Sequence, residues 1–240
     1  IKSLLKEYLD YGGFPLVSLQ EQKKEILETY FEDIINRDVV ENYRIENVSK
    51  IKSLAKFYLI NIGRRVSFNS LSKSLNLSLD TVERYSYYLE EVFLIYLIKK
   101  FSYSVKEQEK TMAVVYSVDN GLRNIVSFKF SKDSGWLYQN AVADKLIRGY
   151  GKENLFYWMN SLREEVDFVV REKQKTKQLI QVCYTLEEQE TKKREIRALL
   201  KASKELKCKN LLIITEDYEK EEKIENKTIK FIPLWKWLLV

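Results

Sequence analysis

The chain has 240 residues, 45% hydrophobic and 32% charged, enough apolar material for one to three small packed domains. It contains no histidine, which excludes histidine triads, imidazole acid–base chemistry and histidine metal sites together. The net charge of +6 is unevenly spread: residues 1–46 carry 6 basic and 10 acidic side chains, residues 47–110 carry 11 and 6, and the remainder 24 and 19. A basic middle and end suits DNA or another anionic partner as well as a solvated charged surface.

Cys183 and Cys208 are too few and too far apart for a zinc site or a disulfide scaffold, and read as core residues in a reducing cytoplasm. No run of about 18 apolar residues exists, so no membrane partner is expected. The chain opens on Ile1 with nothing resembling a signal peptide, which reads as a fragment.

Residues 1–46 read as helices. The first ends at Gly12-Gly13 with Pro15 close behind, a normal helix stop. A longer helix is expected from about Gln20 to Tyr43, with Ile26, Tyr30, Ile34, Ile35 and Val39 at helical spacing.

Residues 47–128 read as a winged helix-turn-helix domain. Val48 to Ile62 forms the first helix, Ser67 caps FNSLSKSL, and Ser78 caps the helix Leu79–Glu91 after the short turn NLS. VFLIYLIKKFS and AVVYSVD then read as a pair of wing strands. In a DNA-binding module the second of the two linked helices enters the major groove. Its candidate contacts are Ser78, Thr81, Arg84 and Tyr85, with Arg64, Arg65, Lys73, Lys99 and Lys100 available to phosphates. Against DNA stand Asp80 and Glu83, which dilute the single arginine of that helix. A Tyr-rich face (Tyr85, Tyr87, Tyr88) equally suits a protein partner. Asp119-Asn120-Gly121 is a turn signal, and a helix or loop is expected over Leu122 to Phe130.

Residues 129–240 give the order αβββαβ: a helix opening at Gly135, strands NLFYWM, REEVDFVVRE and KQLIQVCYT, a helix from Thr191 to Leu206, and a strand from Asn210 to Thr215. Alternation along the second strand sets Glu165 and Asp167 on one side, and Gln181 and Cys183 share a side of the third. EDYEKEEKIENK reads as a solvated hairpin connection, and IKFIPLWKWLLV as a strand, a proline break and a short helix with Trp235 and Trp237 packing.

That order, with an Asp late in the second strand and a polar-x-polar step in the third, resembles the PD-(D/E)XK nuclease superfamily. The resemblance implies a Mg²⁺ held by a strand Asp and the Glu of Glu-x-Lys, with the Lys activating water; two carboxylates suit such a hard cation. Only Asp167 matches. Gln181 stands at the Glu position, Cys183 at the Lys position and Gln139 at a helix acid position, so a degenerate, inactive site is expected. Were it active, Asp167 and Glu165 would hold the metal, with Lys177 or Lys192 moved into the lysine role.

YLDYGGFP with YFEDIINRDVV, the span ending in VYSVDNGL, and GWLYQNAV…EVDFVV…LIQVCY together resemble the C-terminal half of an archaeal and bacterial family of AAA+-type ATPases. By that resemblance residues 1–46 are the remnant of a helical lid, and the chain's partner is its own N-terminal ATPase domain. ATP would belong to that domain: none of the seven glycines here has a second glycine five residues on, as a P-loop needs. The expected architecture is multi-domain α+β, and the expected function a DNA- or partner-binding regulatory region. A protein-interaction adaptor and an active metal-dependent nuclease are the alternatives.

Overall fold

The computed structural model describes residues 1–127, 134–186 and 189–240. Residues 128–130 of the expected Leu122–Phe130 segment lie outside them. Packing divides the chain into two units, Ile1–Leu97 with Met112–Asp144, and Ile98–Thr111 with Lys145–Val240. Among the described residues the fold is mixed α+β with two sheets. No helix among the described residues is long and apolar enough to cross a membrane.

In the first unit, α1 (Lys2–Tyr11) stops at Gly12, whose φ of +79° favours glycine, and α2 (Pro15–Leu19) starts on a proline that has no helical N–H to lose. Helix α3 (Lys23–Asp33) continues as a π-helix over Ile34–Glu41. The buried stripe is Leu27, Phe31, Ile35 and Val39, each four residues apart, while the expected Ile26, Tyr30 and Ile34 pack at its margin. Helix α4 (Val48–Ile60) is capped by the Asn47 side chain and buries Ile51, Leu54, Ala55, Tyr58 and Leu59.

Then come β1 (Arg65–Val66), α5 (Phe68–Leu75), α6 (Leu79–Glu91), β2 (Ile95–Ile98), α7 (Val105–Lys110) and β3 (Ala113–Ser117). Ser67 and Ser78 cap α5 and α6 as expected, each accepting the backbone N–H three residues on. The strands form a sheet in the order β1-β3-β2. The segment between β2 and β3 is not a bare wing turn: it carries α7 and packs in the second unit. Asp119 does not simply turn the chain; it caps α8 (Asn120–Val126) by accepting the Gly121 N–H at 2.6 Å. Helix α9 (Ser134–Tyr150) follows.

The second unit is built on a six-stranded sheet: β4 (Leu155–Met159), β5 (Glu165–Glu172), β6 (Lys175–Val182), β7 (Leu211–Thr215), β8 (Lys220–Ile224) and β9 (Lys227–Pro233) in the order β4-β5-β6-β7-β9-β8. Strands β4, β5 and β6 are antiparallel neighbours, β7 is parallel to both β6 and β9, and β8 closes the edge as a hairpin with β9. The charged EDYEKEEKIENK stretch therefore contains a strand. Exposed Lys220 and Glu221 suit an edge that must repel further pairing. Helix α10 (Gln189–Glu205) packs Ala198, Leu199 and Ala202 into a cluster with Val166, Val169, Leu179, Ile213 and Phe231. Cys183 and Cys208 are free and buried in the same cluster. After β9, α11 (Leu234–Leu239) has its Trp237 and Leu238 carbonyls taken up by the Lys145 ammonium, at 2.8 and 2.9 Å.

Candidate functional site

The expected acid pair lies on β5, beside an irregularity. Pairing with β4 shifts by one residue between Phe156 and Trp158, opposite the stretch Val166–Val169. Val166 and Val169, three apart, consequently enter the same hydrophobic cluster, which strict alternation forbids. A bulge thus interrupts the regular face pattern at Asp167-Phe168, so alternation alone does not set Glu165 and Asp167 on one side. Glu165 is half-buried; Asp167 is buried.

Asp167 and Gln181 meet across the β5–β6 ladder. The Asp167 N–H donates to Gln181 Oε1 at 3.1 Å, and the Val182 N–H donates to Asp167 Oδ2 at 2.8 Å. Gln181 Nε2 donates to Glu195 Oε2 at 2.6 Å, and Arg194 grips the other Glu195 oxygen through Nε (3.1 Å) and Nη2 (2.7 Å). Cys183 donates its thiol to the Thr185 carbonyl at 3.0 Å. Burial pushes that thiol up to about 12, with the Glu195 and Asp167 carboxylates adding and Arg194 partly offsetting. A thiol so placed stays protonated and is a poor nucleophile.

Glu195 is the residue that sequence reasoning missed. It arrives from α10 and stands beside Gln181. Its signal was legible: Glu195 shares the α10 stripe with Ala198, Leu199 and Ala202, and an acid on an apolar stripe needs a partner.

The residues do not fit a Mg²⁺ site well. Asp167 spends Oδ2 on a backbone N–H, Gln181 spends its oxygen on another, and Glu195 faces Gln181 and Arg194. Among the described residues no group of three or more acidic or cysteine side chains is gathered as metal ligands. Neither migrating lysine is free: Lys177 pairs with Glu172 at 2.9 Å and Lys192 with Glu222 at 2.7 Å. Gln139 belongs to the first unit, where its Oε1 would lie 2.6 Å from a Cβ placed on Gly63. Asp167, Gln181 and Cys183 all belong to the second unit.

A second polar cluster lies wholly in the first unit. Asp119 accepts the Gly13 N–H (2.7 Å) as well as that of Gly121. Asn140 accepts the Ser117 N–H (2.7 Å) and donates to the Ser117 carbonyl (3.1 Å) and to Asn120 Oδ1 (2.9 Å). Asn124 donates to the Leu9 and Asp10 carbonyls at 2.9 Å. The GGFP, SVDNG and YQN stretches thus converge as one buried seam. Burial raises Asp119 to about 6, against the pull of the Gly13, Gly121 and Leu122 N–H groups and with the Asp144 charge adding.

The DNA-contact candidates divide. Arg64, Arg65, Lys73, Ser78, Thr81, Arg84 and Tyr85 lie in the first unit, Lys99 and Lys100 in the second. Tyr85 is buried at 6% exposure and cannot reach a groove. Ser78 is committed to its cap and to the Thr81 hydroxyl (2.7 Å), Arg84 pairs with Asp80 at 3.5 Å, and Arg64 lies over the Trp136 ring at 5.6 Å. Arg65 and Lys73 are exposed. Tyr88 stacks on Tyr43 with centroids 3.7 Å apart, leaving Tyr87 as the exposed tyrosine of the α6 face.

Residues 2–133 match the model of a domain of unknown function, DUF8612, which is more than half of the chain. The chain belongs to that family. Residues 134–237 match a second domain of unknown function, DUF4143, a domain typically found in the C-terminal part of AAA-type ATPase-like proteins. An uncharacterized protein of the archaeon Methanocaldococcus jannaschii is 37% identical over 98% of this chain and 55% of its own length. An uncharacterized protein of Haemophilus influenzae is 30% identical over 71% of this chain and 44% of its own. The DUF8612 chain thus spans about half the length of these relatives. No solved structure matches it.

Proposed function

We propose that this DUF8612–DUF4143 chain is the C-terminal, non-catalytic binding region of an AAA-type ATPase. In this reading the first unit is a winged-helix module and the second a nuclease-like scaffold whose metal chemistry is gone. The element order α4-β1-α5-α6-β2-α7-β3, with sheet order β1-β3-β2, supports the first part. The observation that carries the second is the Asp167–Gln181–Glu195–Arg194 chain, in which Asp167 Oδ2, the Gln181 amide and both Glu195 oxygens are engaged by hydrogen bonds and an ion pair within the protein.

A protein partner for the first unit is favoured over duplex DNA by the exposed face of α6. It presents Asp80, Glu83, Tyr87 and Glu91, with Arg84 already paired, a poor surface for a polyanion and a good one for a basic or aromatic protein face.

The test is a titration of duplex DNA at two salt concentrations with Mg²⁺ present, followed by a gel for cleavage. Intact DNA is the expected outcome. Cleavage that disappears in Asp167→Ala would overturn the non-catalytic reading. Tight, steeply salt-dependent duplex binding lost in Arg65→Glu and Lys73→Glu would overturn the preference for a protein partner.

A further inference from the structure

The second unit carries an aromatic cavity that neither the nuclease-like cluster nor α6 uses. It has a volume of about 460 Å³ and is lined by Phe101, Tyr103, Trp158 and Met159, with Lys100 and Lys110 at its margin. That volume is in the range of small-ligand sites. Its floor is firm: Phe101 and Trp158 are buried at 6% and 2% exposure, and the Phe101 N–H donates to the Tyr157 carbonyl at 2.7 Å. Tyr103 is different. Its ring meets Phe101 edge-on at 5.1 Å and is itself 80% exposed, an aromatic face held toward solvent by a rigid neighbour.

The segment that presents Tyr103 is tied at both ends. Lys99–Phe101 pairs with β4, and Ser104 caps α7 by accepting the Glu107 N–H. Gln108 Nε2 closes the loop onto the Ser102 carbonyl at 2.6 Å. Charge completes the pattern. Among the described residues Lys100 and Lys110 have no hydrogen-bond or ion-pair partner, while the lining acid Glu107 is engaged by the Ser102 hydroxyl at 2.7 Å. Glu205 remains as the unengaged lining acid against two free ammonium groups.

A projecting aromatic ring over an apolar floor, flanked by free cations, is the chemistry that takes a nucleobase and its phosphates: every base has a face to stack, and ammonium groups follow the backbone. The bases of a duplex are buried in their own stack, so a strand must be unpaired to use Tyr103. The geometry points to the Phe101–Tyr103–Trp158 cavity as a docking site for single-stranded nucleic acid, with a base on Tyr103 and phosphates on Lys100 and Lys110. This site does not depend on the winged-helix reading of the first unit, and its failure would leave that reading intact.

The test is fluorescence anisotropy of the 240-residue chain with a labelled oligothymidylate of about 12 nucleotides, in the usual site-size range for such binders. Wild type should bind at low salt, and Tyr103→Ala should weaken binding at least about fivefold while Tyr103→Trp retains it. Lys100→Gln and Lys110→Gln should each lower the slope of log affinity against log salt by roughly 0.7. Tyr103 is so exposed that its variants should fold normally, which circular dichroism checks. Unchanged binding in Tyr103→Ala, or equal competition by a duplex of the same length, would overturn the proposal. So would binding lost in Arg65→Glu but not in the Tyr103 variant, which would move the strand to the first unit. Thymidine monophosphate competing as well as the oligomer would overturn the strand as occupant.

Discussion

Asp119 sits in a bind: its carboxylate is buried yet receives backbone N–H groups from Gly13 and Gly121. Burial prevails and raises it from 3.8 to about 6. An acid whose folded value lies above its unfolded one favours folding when protonated, so its contribution is complete below about pH 3.8 and fades as pH rises through about 6. In urea melts, wild type should therefore lose stability relative to Asp119→Asn between pH 4 and pH 7, on the order of 2–3 kcal/mol. A flat difference across that range would refute the shift. Gly12 lies against the same carboxylate: a Cβ there would come within 1.8 Å of Asp119 Oδ1, at a φ of +79° that side chains rarely adopt. Gly12→Ala should cost about 2 kcal/mol or more by the same melts.

The Asp167–Gln181–Glu195 chain poses a sharper residue-scale question, because Gln181→Glu would put an acid where the nuclease resemblance expects one. The Gln181 amide donates to Glu195 at 2.6 Å, so the substitution sets two carboxylates against each other in a buried site. Gln181→Glu should destabilise by about 1–3 kcal/mol, and the added change Glu195→Gln should recover most of it, a coupling that a double-mutant cycle reads directly. Additive losses would mean that the two side chains do not interact.

At the scale of elements, the caps and periodicities of the first unit were plain in the residues, and Ser78 shows how an element claims a side chain that the DNA-contact reading also wants. Its hydroxyl accepts the Thr81 N–H at 3.1 Å and so serves the start of α6. Ser78→Ala should lower stability by about 1 kcal/mol. A stability-neutral change that abolished a binding activity would instead restore Ser78 as a contact residue. The strands were less legible. The bulge at Asp167-Phe168 leaves no mark in a run as uniformly apolar as VDFVV, because a bulge is set by what the partner strand needs to pack and not by local propensity. Strand β8 hid inside a charged run for the opposite reason. An edge strand is paired on one side and solvated, so hydrophobic periodicity is weak there.

At the scale of the whole molecule, the two packing units do not follow the chain. Lys99–Phe101 belongs with β4 although the flanking β1–β3 sheet belongs to the other unit. A fragment of residues 134–240 would therefore lose Phe101 from the core cluster it shares with Trp158 and Val166. Such a fragment should bind a hydrophobic dye and melt at lower temperature than the same region in the full chain. A fragment equally stable and dye-silent would show that the inserted segment contributes nothing to the unit.

The sequence by itself determined what depends on local spacing: helix stops at Gly12 and caps at Ser67 and Ser78, the run of strands from Leu155 to Val182, the burial of both cysteines, and the absence of histidine and of a P-loop. Asp167 and Gln181 were legible as candidate positions, but only the β5–β6 ladder brings them together. Only the tertiary structure decided which distant residues complete each cluster. Glu195 reaches Gln181 from a helix 14 residues on, Asp119 holds Gly13 across 106 positions, and Gln139 packs on Gly63. Those pairings follow from how packed elements satisfy buried polar groups, a constraint that acts through space and leaves almost no periodic trace in the chain.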